Sequence, residues 1–390
     1  MNDTPEPHRV VLAGAHGYGR NYLPVLRELA AEGAAVLAGV CDLRPVPDSL
    51  LDGLGSPVFG SDLGALVRET GADVAVVATP LHTHAPLGLA ALEAGAHVQM
   101  EKPPASSFAE FTALRDASER LGRACQVGFQ SLGSAAPQRV RDLVREGAVG
   151  TVRGIGAHGA WSRDTAYYQR APWAGRRRLD GVDVVDGALT NPFAHAVATV
   201  LALDGGTVET VETELYRAFD IEADDTSCVR VRTSGGLAGG APLVVAVTLA
   251  APVQQPPVIT VHGDAGRISY WYTEDRVRLE RTGEEARETT DDRTVLLRNL
   301  IDHLAASRNG AAAGTPLLVP LSSTEGFMRV LESVRTGGDP RPLPADDLPG
   351  ADGARRRVVP GITELVTAAA DGLALYSELP RFAALAGRAA

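Results

Sequence analysis

The chain has 390 residues, 45% of them hydrophobic and 22% charged, with a formal net charge of −11 and three cysteines. That length suits about two domains with a sizeable core, and the acidic field argues against nucleic acid or an anionic membrane as partner. Cys41, Cys125 and Cys228 follow no metal spacing, and no apolar run reaches membrane-spanning length, so no metal is expected and a cytoplasmic protein is.

The first third alternates between two kinds of segment. RVVLAG reads as a strand, RNYLPVLRELAAEG as an amphipathic helix, AAVLAGVCD as a strand and SDLGALVRETG as a helix with Ser61 at its start and Gly71 past its end. ADVAVVATP is apolar throughout, as a strand covered on both faces must be. APLGLAALEAG, AHVQM, SFAEFTALRDASERLG (started by Ser106 or Ser107) and RACQVGF continue the alternation. Strict strand–helix alternation implies a doubly wound parallel sheet of the Rossmann type, expected over residues 8–130.

Beyond that the pattern changes. PQRVRDLVREGAVG reads as a helix, TVRGIGAHGAW as a strand and NPFAHAVATVLAL as a helix. Successive strands run from about residue 208 to 282, spaced as in a large, mostly antiparallel open sheet. GEEARETTDD and GDPRPLPADDLPGADGARRR read as loops. Helices resume at VLLRNLIDHLAAS, STEGFMRVLESVRT and ITELVTAAADGLALYSE. A C-terminal α+β domain, residues 131–390, with its sheet flanked by helices, is the expectation.

Directly after the first strand, VLAGAHGYGR places Gly14, His16, Gly17, Tyr18 and Gly19 at the opening of the first helix. In that context glycines serve a tight turn, close backbone approach to a pyrophosphate, and close helix–strand packing. His16 stands where the second glycine is usual. Asp42 ends the second strand 23 residues after Gly19, near the spacing of about 20 for an acid that binds ribose hydroxyls. A dinucleotide is therefore the expected cofactor. Asp42 favours NAD, while Arg44 could hold a 2′-phosphate and leaves NADP as the alternative.

One residue breaks the composition. Of 37 basic residues only Lys102, in VQMEKPPASS, is lysine. An ε-amine can lose and regain a proton, which a guanidinium cannot.

In ATPLHTHAPLGLAALEAGAHVQMEKP the chain resembles the Gfo/Idh/MocA family of NAD(P)-dependent oxidoreductases. The likeness lies in the TP turn followed by a helix-starting histidine, in EKP after the next strand, and in a later helix carrying a histidine. It implies that Thr79, Pro80, His84 and Glu101 line the cofactor and that Lys102 lies beside nicotinamide and substrate. YYQRAPWAG then corresponds to an aromatic loop at cofactor and substrate, with Tyr168, Arg170 and Trp173 as contacts. GALTNPFAH matches the segment where most members carry Asp-x-x-x-His. His195 keeps the histidine, but Asn191 replaces the acid; on a helix this spacing puts both on one face. Gln130, where the family often has asparagine, is a milder departure.

The resemblance implies hydride transfer between nicotinamide and a secondary alcohol or ketone of a sugar, cyclitol or sugar derivative. Lys102 would stabilise charge on the substrate oxygen, and either His195 or Lys102 would carry its proton; Asn191 would orient the substrate. It also implies a homo-oligomer, a dimer or tetramer. A redox-assisted lyase, glycosidase or epimerase with recycled NAD is the first alternative, and a non-catalytic cofactor sensor the second. His82, His97, His262 and His303 read as structural, and Arg176, Arg177 and Arg178 as a solvated basic patch, with binding of a phosphate of NADP or of a nucleotide sugar as the alternative.

Overall fold

A computed structural model describes residues 6–308 and 315–386. They form two compact units, Met1–Gly133 with Thr294–Glu325, and Ser134–Arg293 with Gly326–Ala390. A single division at residue 130 misses the return of the chain to the first unit. The helix Leu296–Arg308, expected in the second domain, presents Leu297, Leu300, Ile301 and Leu304 to the cluster that holds Val10, Leu12 and Leu26. Its apolar face completes a core that the first 130 residues leave open on that side.

In the first unit β1 (His8–Ala13), β2 (Ala35–Cys41), β3 (Val58–Gly60), β4 (Val74–Val77), β5 (His97–Met100) and β6 (Cys125–Val127) form one sheet in the order β3-β2-β1-β4-β5-β6. Every pairing is parallel. Helices α1 (Leu23–Ala31), α2 (Leu63–Thr70), α3 (His84–Glu93) and α4 (Phe108–Leu121) connect the strands. Strand order reverses between β1 and β4, and in such sheets ligands bind beyond the strand C-termini at that point. The first turn before α1 is a 3-10 turn, Tyr18–Tyr22, and Pro24 sits in the first turn of α1, where a missing N–H costs nothing. Asp62, not Ser61, caps α2 by accepting from Ala65 N at 2.9 Å. Ser107 caps α4.

The second unit begins with α5 (Ala136–Arg145), β7 (Val152–Ala160), the short α6 (Thr165–Gln169), the two-residue strands β8 (Arg178–Leu179) and β9 (Val182–Asp183), and α7 (Ala194–Asp204). Then come β10 (Thr207–Arg217), β11 (Thr226–Ser234), β12 (Leu243–Thr248), β13 (Val258–Gly263), β14 (Gly266–Trp271), β15 (Arg276–Arg281) and β16 (Arg287–Thr290). The nine-stranded sheet runs β16-β15-β14-β13-β7-β12-β11-β10, with Arg341–Pro342 at the far edge. It is antiparallel except for the β12–β7 and β10–Arg341 pairs.

Two loop expectations are corrected. Residues of GEEARETTDD form β16, an exposed edge strand. The Pro-rich segment holds Arg341–Pro342 and a hairpin of Asp346–Pro349 with Arg355–Val358. Neither β16 nor Asp346–Pro349 has a buried face, so no alternation marked them; charged edge strands are a common device against edge pairing. The helix Ile362–Gly372 lies on the sheet, its Ile362, Leu365, Val366 and Ala369 packed with Val244 and Ala246. Gly156 of β7 permits that approach, since a Cβ there would sit 2.1 Å from Ala370 O.

Candidate active site

In the first unit the glycine turn, the end of β2 and the turn after β4 surround a cavity of about 630 Å³. Gly14 makes the turn at φ +90°, and a Cβ there would lie 2.5 Å from Ala78 O. At Gly17 an added Cβ would meet nothing nearer than 3.8 Å, so the backbone is open to a ligand. Asp42 follows β2 and accepts from His16 N at 3.3 Å and Arg44 N at 3.4 Å, which fixes its carboxylate on the cavity wall. Gly14, His16, Gly17, Asp42, Arg44, Thr79 and Pro80 all line this space. Gly19 instead packs under the turn, where a Cβ would strike Gly14 O at 2.5 Å, and Tyr18 is 52% exposed. A glycine cradle, open backbone and a held acid fit the diphosphate and adenosine ribose of a dinucleotide. His82, expected to be structural, and Cys41 also stand on this wall. His82 lines the cavity with a buried Nδ1 that has no partner among the described residues. Cys41 lines it too, its thiol pushed up to about 11 by burial and by Asp42, so it stays protonated.

A second group gathers Thr79, His84, Glu101 and Lys102. Thr79 Oγ1 and Thr83 Oγ1 are 2.6 Å apart. The ring of His84 lies between two backbone carbonyls, with Nε2 2.7 Å from Thr79 O and Nδ1 2.6 Å from Pro103 O. It straps the turn after β4 to the loop after β5. Burial lowers its pKa and favours neutral imidazole, which donates to one carbonyl at a time. The Lys102–Pro103 peptide in that loop is cis. Glu101 is 5% exposed, accepts from Tyr22 OH at 2.5 Å, and receives the Lys102 backbone N–H at 3.3 Å. Burial raises its pKa, opposed by the Tyr22 hydrogen bond and the Lys102 charge. Its carboxyl rests on Gly128, where a Cβ would lie 2.9 Å from Oε1. Gln130 opens the 3-10 turn just beyond, its N–H bonded to Gly128 O at 3.0 Å.

In the second unit α7 starts at Ala194, so Asn191 lies in the turn before the helix rather than on it. A shared helical face therefore does not relate Asn191 to His195, which stands in the first turn of α7, half-buried. Phe193 anchors this start by lying on Gly159 of β7, where a Cβ would meet its ring at 2.1 Å, and by packing on Trp161 at 4.4 Å. Arg170 stacks over Tyr167 at 3.8 Å and Trp173 at 4.7 Å. Tyr168 packs on Phe219 at 4.9 Å with its hydroxyl buried and its pKa raised well above the usual phenol range. Arg177, read as part of a solvated patch, instead caps the helix Glu325–Thr336, donating to Val334 O, Arg335 O, Gly337 O and Gly338 O.

Two carboxylates here carry no spacing signal in the sequence. Asp186 binds both Arg170 and Asn191. Asp224 is buried, accepts from Ala188 N at 3.0 Å and from Ser227 Oγ, and fills the space a Gly187 side chain would need. His97, read as structural, is the acceptor for Ala124 N at 2.8 Å, its pKa lowered by burial to about 4.

The description "Oxidoreductase family, NAD-binding Rossmann fold" matches residues 8–129, and "GFO/IDH/MocA C-terminal domain" matches residues 138–269. The chain belongs to the GFO/IDH/MocA family. Residues 8–129, which carry the cavity after β1, match that family's NAD-binding domain.

A 4-carboxy-2-hydroxymuconate-6-semialdehyde dehydrogenase from a Sphingobium species is 27% identical over 139 residues, 36% of this chain and 44% of its own. A glycosyl hydrolase family 109 protein from Saccharopolyspora erythraea is 34% identical over 167 residues, 39% of this chain and 35% of its own. A levoglucosan dehydrogenase from Pseudarthrobacter phenanthrenivorans is 28% identical over 139 residues, 35% of this chain and 34% of its own. The chain thus spans between a third and a half of the length of these relatives. The WlbA dehydrogenase from Bordetella pertussis, solved with NADH and UDP-GlcNAcA, superposes with a TM-score of 0.66 at 24% identity, covering 87% of this chain and all of that one. At that identity the likeness is one of fold.

Proposed function

We propose that this protein is an NAD-dependent dehydrogenase of a secondary alcohol on a sugar, cyclitol or sugar derivative. The observation that carries the reading is the lone lysine: Lys102 directly follows the buried Glu101 in the loop after β5, and the His84 ring lies between Pro103 O of that loop and Thr79 O of the cavity wall. The family and the levoglucosan dehydrogenase relative support the reaction and the substrate class. Bound NAD would accept the hydrogen and electron pair of the substrate C–H bond. Lys102 donates a hydrogen bond to the substrate oxygen and stabilises negative charge there as the C=O bond forms. His195 takes the hydroxyl proton, since imidazole titrates near neutral pH. Asn191, unable to titrate, orients the substrate by hydrogen bonding.

The test is a panel of cyclic polyols and sugars with NAD and NADP, read by absorbance of the reduced nicotinamide. Net reduction with NAD by at least one member is expected; none with any member overturns the reading. The family 109 relative favours a second one, glycosidic cleavage with NAD reduced and reoxidised in each cycle. That reading requires NAD to co-purify and a glycoside to be split with no net reduced cofactor released.

A further inference from the structure

Asn191 does not stand alone where most of the family carries an acid. Its Nδ2 donates to Asp186 Oδ1 at 2.5 Å. A carboxylate only accepts hydrogen bonds, so this contact decides which end of the amide faces Asp186: it must be the NH₂. The oxygen is thereby turned to the other side of the group. Asp186 is 7% exposed and its oxygens are taken up within the fold. Oδ2 accepts from Gly175 N at 2.7 Å and Arg170 Nη2 at 3.1 Å, and Oδ1 receives Arg170 Nη2 at 3.4 Å beside the amide. A buried carboxylate so engaged acts on a substrate only through the groups it holds.

The segment is built to place it. Val185, the residue before, has φ +42°, a region β-branched residues avoid. Backbone strain of this kind persists only where the surroundings enforce it. Here the Thr190 hydroxyl donates to Val185 O, Val185 N donates to Arg177 O at 3.1 Å, and Asp224 clamps Ala188 N two residues after Asp186.

We propose that Asp186 is a positioning residue that replaces the missing acid at one remove. It fixes the Asn191 amide so that an uncharged acceptor oxygen is presented to a substrate hydroxyl. Where a carboxylate at that place could also take up a proton, the amide cannot. The inference rests on the dehydrogenase reading above.

The test exchanges the two groups. Wild type, Asp186→Asn, Asn191→Asp and the double exchange are compared on whichever of myo-inositol, D-glucose and 1,6-anhydroglucose the wild type oxidises. Asp186→Asn should lose at least tenfold in kcat/KM, with NAD affinity within twofold of wild type. Asn191→Asp sets two carboxyls against each other, and they cannot both ionise. They share one proton, so activity relative to wild type at the same pH should fall as pH rises through the raised ionisation of the pair. Arg170, Tyr167 and Tyr168 are the charged and titratable groups that face Asp186. The double exchange should remove that alkaline limb and recover at least fivefold over Asp186→Asn. A double exchange with the wild-type unfolding midpoint but no recovery overturns the proposal, as does Asp186→Asn within twofold of wild type.

If no panel member is oxidised, the dehydrogenase reading fails, and the pair is judged separately on cofactor-free protein. The Asn191 side-chain NH₂ resonance, identified by its loss in Asn191→Asp, should lie downfield and move upfield in Asp186→Asn. An unmoved resonance removes Asp186 from any role.

Discussion

Glu101 in the first unit and Asp186 in the second are both buried carboxylates beside a residue of the proposed machinery, and the fold keeps them in opposite ways. Glu101 accepts from the Tyr22 hydroxyl and a backbone N–H beside the Lys102 charge, and burial still pushes its pKa up. Asp186 faces a guanidinium, an amide and a backbone N–H. The first arrangement places a group that burial inclines toward its neutral form; the second holds a carboxyl group among three donors that it orients. Glycine makes room for the first at Gly128. The second needs a strained Val185 and a clamp from Asp224.

The largest expected effect tests the residue Glu101 precedes. Lys102→Arg keeps the positive charge but replaces a compact donor with a longer planar fork that does not release its proton. Turnover should fall by about 10²–10³, the usual cost of losing one preorganised donor at a developing oxyanion. NAD affinity, measured by fluorescence titration, should stay within threefold. An active Lys102→Arg enzyme would leave the lone lysine as a matter of composition.

A third carboxylate uses its charge outward. Asp42 sits on the cavity wall, where it should bind ribose hydroxyls and repel a 2′-phosphate. Asp42→Ala should move the ratio of NAD to NADP affinity toward NADP by about tenfold, or about 1.4 kcal/mol. An unmoved ratio in parallel titrations would assign the discrimination to Arg44.

Smaller shifts separate the two carboxylates directly. A carboxyl whose folded pKa is raised holds a proton in the native state that the unfolded chain has released, so stability falls as pH rises. Glu101→Gln should therefore gain in unfolding temperature relative to wild type as pH climbs above about 4.5. Asp225 in the second unit offers a sharper case. Buried, and accepting from Ala218 N, Phe219 N and Thr226 Oγ1, it is raised by burial from 3.8 to about 7. Asp225→Asn should gain on wild type between pH 4 and pH 7 and level off above. Asp186→Asn should lower the unfolding temperature instead, because Arg170 loses its counter-charge. A gain there would erase the contrast.

The first unit was legible for a physical reason. Parallel strands covered on both faces must be apolar, the pyrophosphate turn must be glycine, and a ribose acid must end the second strand; each requirement leaves a local mark. Gly14, Gly17, Asp42, Thr79 and Pro80 were found that way or through the family likeness, and they surround one cavity. The family and the order of its two domains were legible on the same grounds.

What the sequence could not carry was any relation set by side chains distant along the chain or by a helix returning to a distant core. The helix Leu296–Arg308 shows an amphipathic face, but nothing in it says which core that face completes. The edge strand β16 has no buried side and so no period. Asn191 was legible as a departure, yet its meaning depends on Asp186 and Arg170, which reach it through a strained turn and a loop with no fixed spacing. Backbone periodicity is written locally because each residue's neighbours in sequence determine it. A carboxylate's partner is decided only when the chain closes on itself, and tertiary structure alone made that choice.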